Sequence, residues 1–169
     1  MKKLMGFTLS ILMGVAAMNI PSARAQDNQG AGFEIKPHHV GISVPDAEAS
    51  AAWYRKMLGF EVVLRMNEDA ANKMKIVHIR RDNCYIELFE VEGARPLPEH
   101  RRDPNADFRE HGLKHVAFEV PDVQAAVKEL KAKGAEIAYG PVDTPGIAFV
   151  FIRDNAGNPF ELIQYKQQK

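Results

Sequence analysis

The sequence has a single cysteine, Cys84, among its 169 residues, so one chain cannot form an internal disulfide. In an oxidising compartment, this fold must therefore be stabilised by packing alone. The chain also lacks a basic excess, because 22 Lys and Arg residues balance 22 Asp and Glu residues. A neutral chain without a basic stripe is a poor nucleic-acid binder, and we expect no nucleic-acid partner.

The sequence has one long hydrophobic run, and it lies at the N-terminus. The basic start MKK precedes an uncharged stretch that ends at Ile20, and PSARA follows with small residues at Ala23 and Ala25. This pattern predicts a signal peptide over residues 1–25 and a periplasmic or secreted location. The alternative is a membrane anchor, for which the stretch is short. After cleavage we expect no membrane association.

Two phrases of the sequence repeat each other, HHVGISVPD at residues 38–46 and KHVAFEVPD at residues 114–122. Each is followed by a helical pattern that ends at a glycine and then by three short segments rich in β-branched and aromatic residues. Each half therefore predicts a βαβββ module. The expected organisation is an N-terminal extension at 26–36 and one domain at 37–166, composed of module one (37–91), a connecting loop (92–112) and module two (113–166).

The fold class predicted from this repeat is α+β. One four-stranded sheet with one helix leaves a sheet face bare, so the two modules need each other. We expect them to form a curved mixed β-sheet cleft with the helices outside. The long connection at 92–112 is either a functional loop or lid, or else a partly mobile linker. It also permits two copies of the chain to exchange modules, so a homodimer is an open alternative.

One face of this cleft is predicted to carry two histidines that are candidate site residues. Alternation along the first strand of each module places His39 and His115 in columns of small residues, Gly41, Ser43 and Ala117. Large apolar residues occupy the opposite columns and are expected to pack under the helices. The small neighbours leave room beside each imidazole, which is typical of a cleft.

A carboxylate recurs in the closing strand of each module. Glu87 lies inside CYIELFEV, 48 residues after His39. Glu161 lies inside PFELIQY, 46 residues after His115. A carboxylate in an apolar strand is costly unless it is paired, protonated or bound to a metal. Two imidazoles and two carboxylates suit a divalent zinc, nickel, cobalt, manganese or iron ion. Two open coordination positions would then be left for neighbouring oxygens of a small substrate.

These motifs resemble the vicinal oxygen chelate superfamily, the group of glyoxalases, bleomycin-resistance proteins and extradiol dioxygenases. The resemblance is carried by HVGISVPDAEASAAWYRKMLGF, CYIELFE, HVAFEVPD and RDNAGNPFELIQ. It implies a glyoxalase-like fold and a divalent metal ion held by His39, Glu87, His115 and Glu161. This ligand pattern is similar to bacterial glyoxalase I, which implies a lyase or isomerase that acts through a metal-stabilised enediolate. Glu161 or Glu87 would then be the catalytic residue that moves the proton.

The sequence departs from glyoxalase I at two positions. Relatives that bind glutathione tend to have an Arg and an Asn four residues after the first and second ligands, where this chain has Ser43 and Val91. Glutathione is therefore a poor expected substrate.

Two other functions remain open: a small-molecule binding or resistance protein without metal chemistry, and an extradiol-type dioxygenase. The fourth ligand argues against the dioxygenase, because it fills a position that oxygen or a catecholate needs.

Other histidines and cations have simpler explanations. We expect His38 to face away from His39, and His78 to be structural because module two has no matching histidine. Five residues of the connection either hold an anionic substrate over the metal or form a solvated loop. They are His100, Arg101, Arg102, Arg109 and His111.

Overall fold

The computed structural model describes residues 36–69 and 73–166, with the side chains of 67–69 excepted. The predicted signal peptide at 1–25 and extension residues 26–35 lie outside the described residues. Among the helices that are described, none has the length and apolar character needed to cross a bilayer.

The order of helices and strands confirms two βαβββ modules. The connection, predicted without regular structure, contains a 3₁₀ turn and a short helix. Module one consists of β1 His39–Ser43, α1 Ala47–Leu58, β2 Glu61–Asp69, β3 Met74–Arg81 and β4 Cys84–Val91. The connection contains the 3₁₀ turn Glu99–Arg102 and α2 Pro104–Asp107. Module two consists of β5 Val116–Glu119, α3 Val123–Lys133, β6 Glu136–Asp143, β7 Ile147–Arg153 and β8 Pro159–Tyr165.

Each module forms one mixed four-stranded sheet with the same topology. The strand order is β1-β4-β3-β2 in module one and β5-β8-β7-β6 in module two. In each sheet the first strand pairs in parallel with the last, and the other neighbours are antiparallel. The first and last strands of a module are therefore adjacent, which places the histidine strand beside the glutamate strand.

Helices α1 and α3 begin and end in the same way. Asp46 and Asp122 each accept a hydrogen bond from the backbone N–H three residues on, at 2.9 and 3.0 Å. This is an N-cap arrangement, and both capping aspartates belong to the repeated VPD phrase. Gly59 and Gly134 follow the helices at φ values of 70° and 90°, where a side chain would be strained.

A second hydrogen bond, which was not predicted from the repeat, connects the start of each helix to the closing strand of its module. A carboxylate oxygen of Glu90 on β4 accepts a hydrogen bond from the Ala47 N–H at 3.1 Å. The amide oxygen of Gln164 on β8 accepts one from the Val123 N–H at 3.1 Å. Glu90 and Gln164 each lie three residues after the glutamate of the candidate site, so the helix start and the site share one strand.

The two modules share one hydrophobic core. Tyr54 on α1 is fully buried and its ring lies 5.5 Å from the ring of Phe160 on β8, measured between centroids. Phe160 in turn stacks on Phe118 of β5 at 5.8 Å. The Tyr54 hydroxyl donates a hydrogen bond of 2.9 Å to buried Asp154, and burial raises the pKa of this tyrosine far above its ordinary value. Tyr54 is thus a neutral donor that links the modules.

The connection is anchored by a buried carboxylate, Asp107, which is 3% exposed. Asp107 accepts hydrogen bonds from Arg101 Nε at 2.7 Å and from Lys114 Nζ at 3.1 Å. Burial acts to raise the pKa of the Asp107 carboxyl, but the hydrogen bonds and positive charges of Arg101 and Lys114 outweigh it, so the pKa is lowered. These contacts attach the last residue of α2 to residues that flank the helix on both sides.

We expect Asp107→Asn to lower the free energy of unfolding by about 1–2 kcal/mol at pH 7, because two cations lose a charged partner. A lowered pKa means that this contribution is complete above the ordinary carboxyl range and is lost as the pH falls through the folded-state value. Urea unfolding between pH 7 and pH 2 measures the difference. Asp82→Asn is the control, since the Asp82 side chain is 91% exposed. A difference between wild type and Asp107→Asn that persists unchanged at pH 2 would contradict this assignment.

Candidate functional site

The open faces of the two sheets carry the predicted histidines and glutamates. Ile42 in β1 and Val44 directly after it are buried, whereas His39, Gly41 and Ser43 are exposed. In β5, Val116 and Phe118 pack partly against the core, and Ala117 and Glu119 are exposed. The predicted division into an apolar column and a histidine column is therefore confirmed in β1, and β5 follows the same alternation.

Module one brings His39, Glu87 and His78 together. His39 Nε2 lies 3.3 Å from Glu87 Oε2, and His78 Nε2 lies 2.8 Å from Glu87 Oε1. The side chains of Glu87 and His78 are 15% and 16% exposed, and that of His39 is 37% exposed. Glu87 is thus a largely buried carboxylate with a different imidazole at each oxygen.

Module two brings His115 and Glu161 together, with an aromatic neighbour in place of a second histidine. His115 Nε2 lies 3.1 Å from Glu161 Oε2. The ring of Phe151, which is 5% exposed, lies 5.0 Å from the His115 ring at an angle of 84°. Phe108 contacts both rings from the connection. The His115 imidazole is therefore oriented by aromatic packing as well as by Glu161.

A cleft of about 860 Å³ includes His115 in its lining, whereas His39, His78, Glu87 and Glu161 are not among its lining residues. Its walls come from β1 and the turn after it, the first half of the connection, the start of β5 and the start of β8. Arg95, Lys114 and His115 are among its lining residues. This volume is within the range of small-molecule sites, and the walls combine apolar and cationic groups.

Comparison with known proteins decides the family. The family model described as "Glyoxalase/Bleomycin resistance protein/Dioxygenase superfamily" matches residues 36–162. The chain belongs to this superfamily. It is 38% identical over 104 residues to the ethylmalonyl-CoA/methylmalonyl-CoA epimerase of Cereibacter sphaeroides, covering 59% of this chain and 72% of the relative. It is 30% identical over 138 residues to the mitochondrial methylmalonyl-CoA epimerase of Homo sapiens, covering 75% and 72%.

A solved structure supports the fold. The glyoxalase family protein APC24694 from Bacillus cereus superposes with a TM-score of 0.67 at 19% identity, covering 82% of this chain and 99% of that one. The predicted glyoxalase-like architecture of two βαβββ modules with mixed sheets is therefore confirmed. At this identity the likeness concerns the fold alone.

Members of the superfamily commonly bind divalent metal ions, and the donor atoms of this chain fit such an ion in part. Two ligands about 2.1 Å from an ion and at right angles to each other are separated by about 3 Å. The separations of 3.3 Å in module one and 3.1 Å in module two have this value. The described residues, however, contain no group of three or more His, Cys, Asp or Glu placed to hold a metal ion. The predicted ligands thus occur as two histidine–glutamate pairs, one in each module.

His78 is the site residue that the sequence reasoning set aside. Its Cα partner across the β3–β4 hairpin is Glu87, and cross-strand partners share a sheet face. The turn after Arg81 would have revealed this register, because Arg81 and Cys84 pair at its base and the pairing continues outwards without a bulge. The repeat does not indicate this role, because β7 has Phe151 at the position equivalent to His78.

His38 also differs from expectation. Strand β1 begins at His39, so His38 lies before the strand and strict alternation does not apply to it. Its ring stacks on Tyr85 at 5.6 Å, and its Nδ1 lies 2.8 Å from Nδ1 of His39. His38 therefore contacts the ring nitrogen of His39 that faces away from Glu87, and it does not turn to the opposite face.

The space beside His39 is smaller than the sequence indicated. A Cβ atom at Gly41 would lie 2.8 Å from Cε2 of Phe89, so the Phe89 ring already covers this glycine. Gly41 permits this close approach of an aromatic ring, and it also lines the adjacent cleft.

The cations of the connection are largely engaged by protein carboxylates. His100 lies 2.9 Å from Glu110, Arg101 is paired with Asp107, and Arg102 lies 3.8 Å from Glu136. Arg109 and His111 are exposed. The structure therefore favours a structural role for Arg101, and Arg95 is the arginine of the connection that lines the cleft without such a pairing among the described residues.

Proposed function

We propose that this chain is a divalent-metal-dependent isomerase or lyase of the glyoxalase type, exported to the periplasm or secreted, that acts on a small molecule with adjacent oxygens. The observation that carries the proposal is the matched pairing of His39 with Glu87 and of His115 with Glu161, at 3.3 and 3.1 Å on the open faces of two modules. The relatives named as epimerases support the same class of reaction, because epimerisation and glyoxalase isomerisation both move a proton next to a carbonyl.

The four side chains would hold the ion, and their charges suit it. Glu87 and Glu161 together balance the two positive charges of a divalent cation, while His39 and His115 bind as neutral imidazoles. When bound, the ion would act as a Lewis acid towards two adjacent substrate oxygens. The zinc, nickel, cobalt, manganese and iron ions all remain candidates.

The protein's own part in the reaction is proton transfer. One glutamate removes a proton from the carbon beside the carbonyl. A proton is then delivered either to the opposite face of the same carbon, by an acid on that face, or to the neighbouring carbon by the same glutamate. The first outcome inverts that carbon and the second moves the carbonyl, and neither adds nor removes an atom overall. The low exposure of the two glutamate side chains, 15% for Glu87 and 16% for Glu161, limits the access of water, which would protect the intermediate anion from protonation by solvent.

Exchange of substrate hydrogen for solvent deuterium tests this proposal. The protein, purified without chelators and supplied with Mn²⁺, is incubated in D₂O with 2-hydroxy ketones, 2-oxoaldehydes and malonyl-type thioesters, and proton NMR follows the carbon next to the carbonyl. We expect exchange on at least one class. Methylglyoxal with glutathione should react weakly, because Ser43 and Val91 replace the Arg and Asn of glutathione-binding relatives. Rapid turnover of that substrate would contradict this use of Ser43 and Val91.

A binding protein without catalysis is the second candidate, and one observation favours it. Aromatic residues of module two and the connection cluster around His115, and among them Tyr139 and Phe108 are 42% and 48% exposed. The rings of Phe149 and Phe151 connect them. Such a cluster can stack a flat ligand in the absence of metal. If the metal-loaded protein binds members of the substrate panel and exchanges no proton on any of them, the binding function is the correct one.

A further inference from the structure

The two glutamates of the site occupy equivalent strand positions but have different partners across the hairpin. Glu87 on β4 pairs in register with His78 on β3. Glu161 on β8 pairs in register with Phe151 on β7. The side chain opposite the glutamate is therefore a hydrogen-bond donor in module one and an apolar ring in module two.

This difference determines how many oxygens of each carboxylate have a side-chain partner in the protein. In Glu87, Oε1 lies at hydrogen-bonding distance from His78 Nε2, at 2.8 Å, and Oε2 lies 3.3 Å from His39 Nε2. In Glu161, Oε2 lies 3.1 Å from His115 Nε2, and no second hydrogen bond to this carboxylate occurs within residues 36–69 and 73–166. Glu87 has one oxygen tied to the protein and one directed to the other histidine.

The strand that carries His78 is suited to hold it in place. The β3–β4 pairing is continuous over eight residue pairs, without a register shift, from Met74 and Val91 to Arg81 and Cys84. His78 and Glu87 are also shielded by their surroundings, at 16% and 15% side-chain exposure. Water therefore competes poorly for this hydrogen bond, and the imidazole has little freedom to leave it.

We propose that His78 is a positioning residue for the metal site. Its Nε2–H holds Oε1 of Glu87, so that Oε2 alone is directed towards the ion and Glu87 acts as a fixed ligand. Glu161 lacks this restraint and is the carboxylate free to move a proton. The inference rests on the proposed function, because it assigns different roles to the two glutamates of that site. Hydrogen bonds from outside the ligand set commonly change metal affinity about 10–100-fold.

The experiment compares three full-length proteins: wild type, His78→Phe and His78→Gln. His78→Phe places in module one the residue that module two has at the equivalent position. His78→Gln restores a side-chain N–H donor at a similar reach. Mn²⁺ affinity is measured by the loss of the free-ion EPR signal, and thermal unfolding of the metal-free proteins shows whether the fold is retained. His100→Phe is the control, because His100 lies on the exposed connection against Glu110.

We expect His78→Phe to weaken Mn²⁺ binding about 10–100-fold, with His78→Gln recovering most of the loss and His100→Phe equal to wild type. A purely structural role would lower the unfolding temperature of metal-free His78→Phe without this pattern of affinities. Equal Mn²⁺ affinity in wild type and His78→Phe would overturn the inference and leave the proposed function in place.

A second measurement tests the positioning role of His78 separately from the proposed metal-dependent function. Long-range ¹H–¹⁵N NMR of the metal-free wild type reports which nitrogen of the His78 ring carries the proton, and we expect Nε2. A ring that carries its proton on Nδ1 alone would overturn the inference, since the hydrogen bond to Glu87 would have no donor. Absence of Mn²⁺ uptake by the wild type would instead defeat the proposed function, while the NMR result would still decide whether His78 holds Glu87.

Discussion

Glu161→Gln is expected to lower the rate of deuterium exchange into substrate by about 10²–10⁴-fold, the usual contribution of a positioned general base. Glutamine has nearly the shape of glutamate and keeps an oxygen for the contact with His115, which is 3.1 Å in the wild type. The fold should therefore be preserved. What is lost is the ability to accept a proton at neutral pH.

The comparison with Glu87→Gln makes this prediction specific. Glu87 is held by His78 and we assign it as a fixed ligand, so Glu87→Gln should act mainly through weaker metal binding. Its exchange rate should recover in part at high Mn²⁺ concentration. Glu161→Gln should remain slow even when it is saturated with Mn²⁺.

Glu129→Gln serves as the control for a glutamate on the outer face of α3, where its partner is Lys133. This variant should exchange at the wild-type rate. If Glu161→Gln also exchanges at the wild-type rate when saturated with Mn²⁺, Glu161 is not the base. The opposite pattern, in which only Glu87→Gln stays slow, would exchange the roles of the two glutamates.

The repeat in the sequence predicted most of the fold, for a physical reason. The caps at Asp46 and Asp122 and the glycines that end the helices are local features, whose energetics depend on neighbouring residues. The histidine columns depend only on strand alternation, which is also local. These features can be predicted from the sequence without knowing which strands pair.

The features that the sequence did not show depend on pairing between strands. His78 becomes part of the site because the β3–β4 hairpin places it opposite Glu87. Gly41 is covered by Phe89 because β1 and β4 are neighbours in the sheet. The helix contact of Glu90 depends on the same adjacency. The internal repeat led to a wrong prediction for His78. The two modules share a topology, but the side chains that pair with Glu87 and Glu161 across the hairpins differ.

The two modules therefore surround their glutamates with different side chains. Module one has a polar group of two imidazoles around Glu87, whereas module two surrounds His115 with aromatic rings. A polar side suits a fixed ligand set, and an apolar side suits a carboxylate that must exchange a proton away from water. The duplicated fold supplies the equivalent positions, and substitutions at the residues opposite the glutamates distinguish their roles.

Loss of either histidine of the proposed metal ligands is expected to abolish stoichiometric metal binding. His39→Ala leaves Glu87 with His78, and His115→Ala leaves Glu161 beside Phe151, so each variant lacks one of four donors. Because the two pairs lie in different modules, a loss of binding in both variants requires that one ion contacts both pairs. The alternative is that each pair binds on its own, in which case each variant would keep the ion of the intact module.

The most direct test of the account is the metal content per chain of wild type, His39→Ala and His115→Ala, each purified without chelators, loaded with Mn²⁺ and freed of excess ion. We predict one ion per wild-type chain and almost none in either variant, with unchanged thermal unfolding of the metal-free proteins. A wild type without bound ion would contradict the account. So would two ions per wild-type chain with one retained in each variant, because the pairs would then be separate sites.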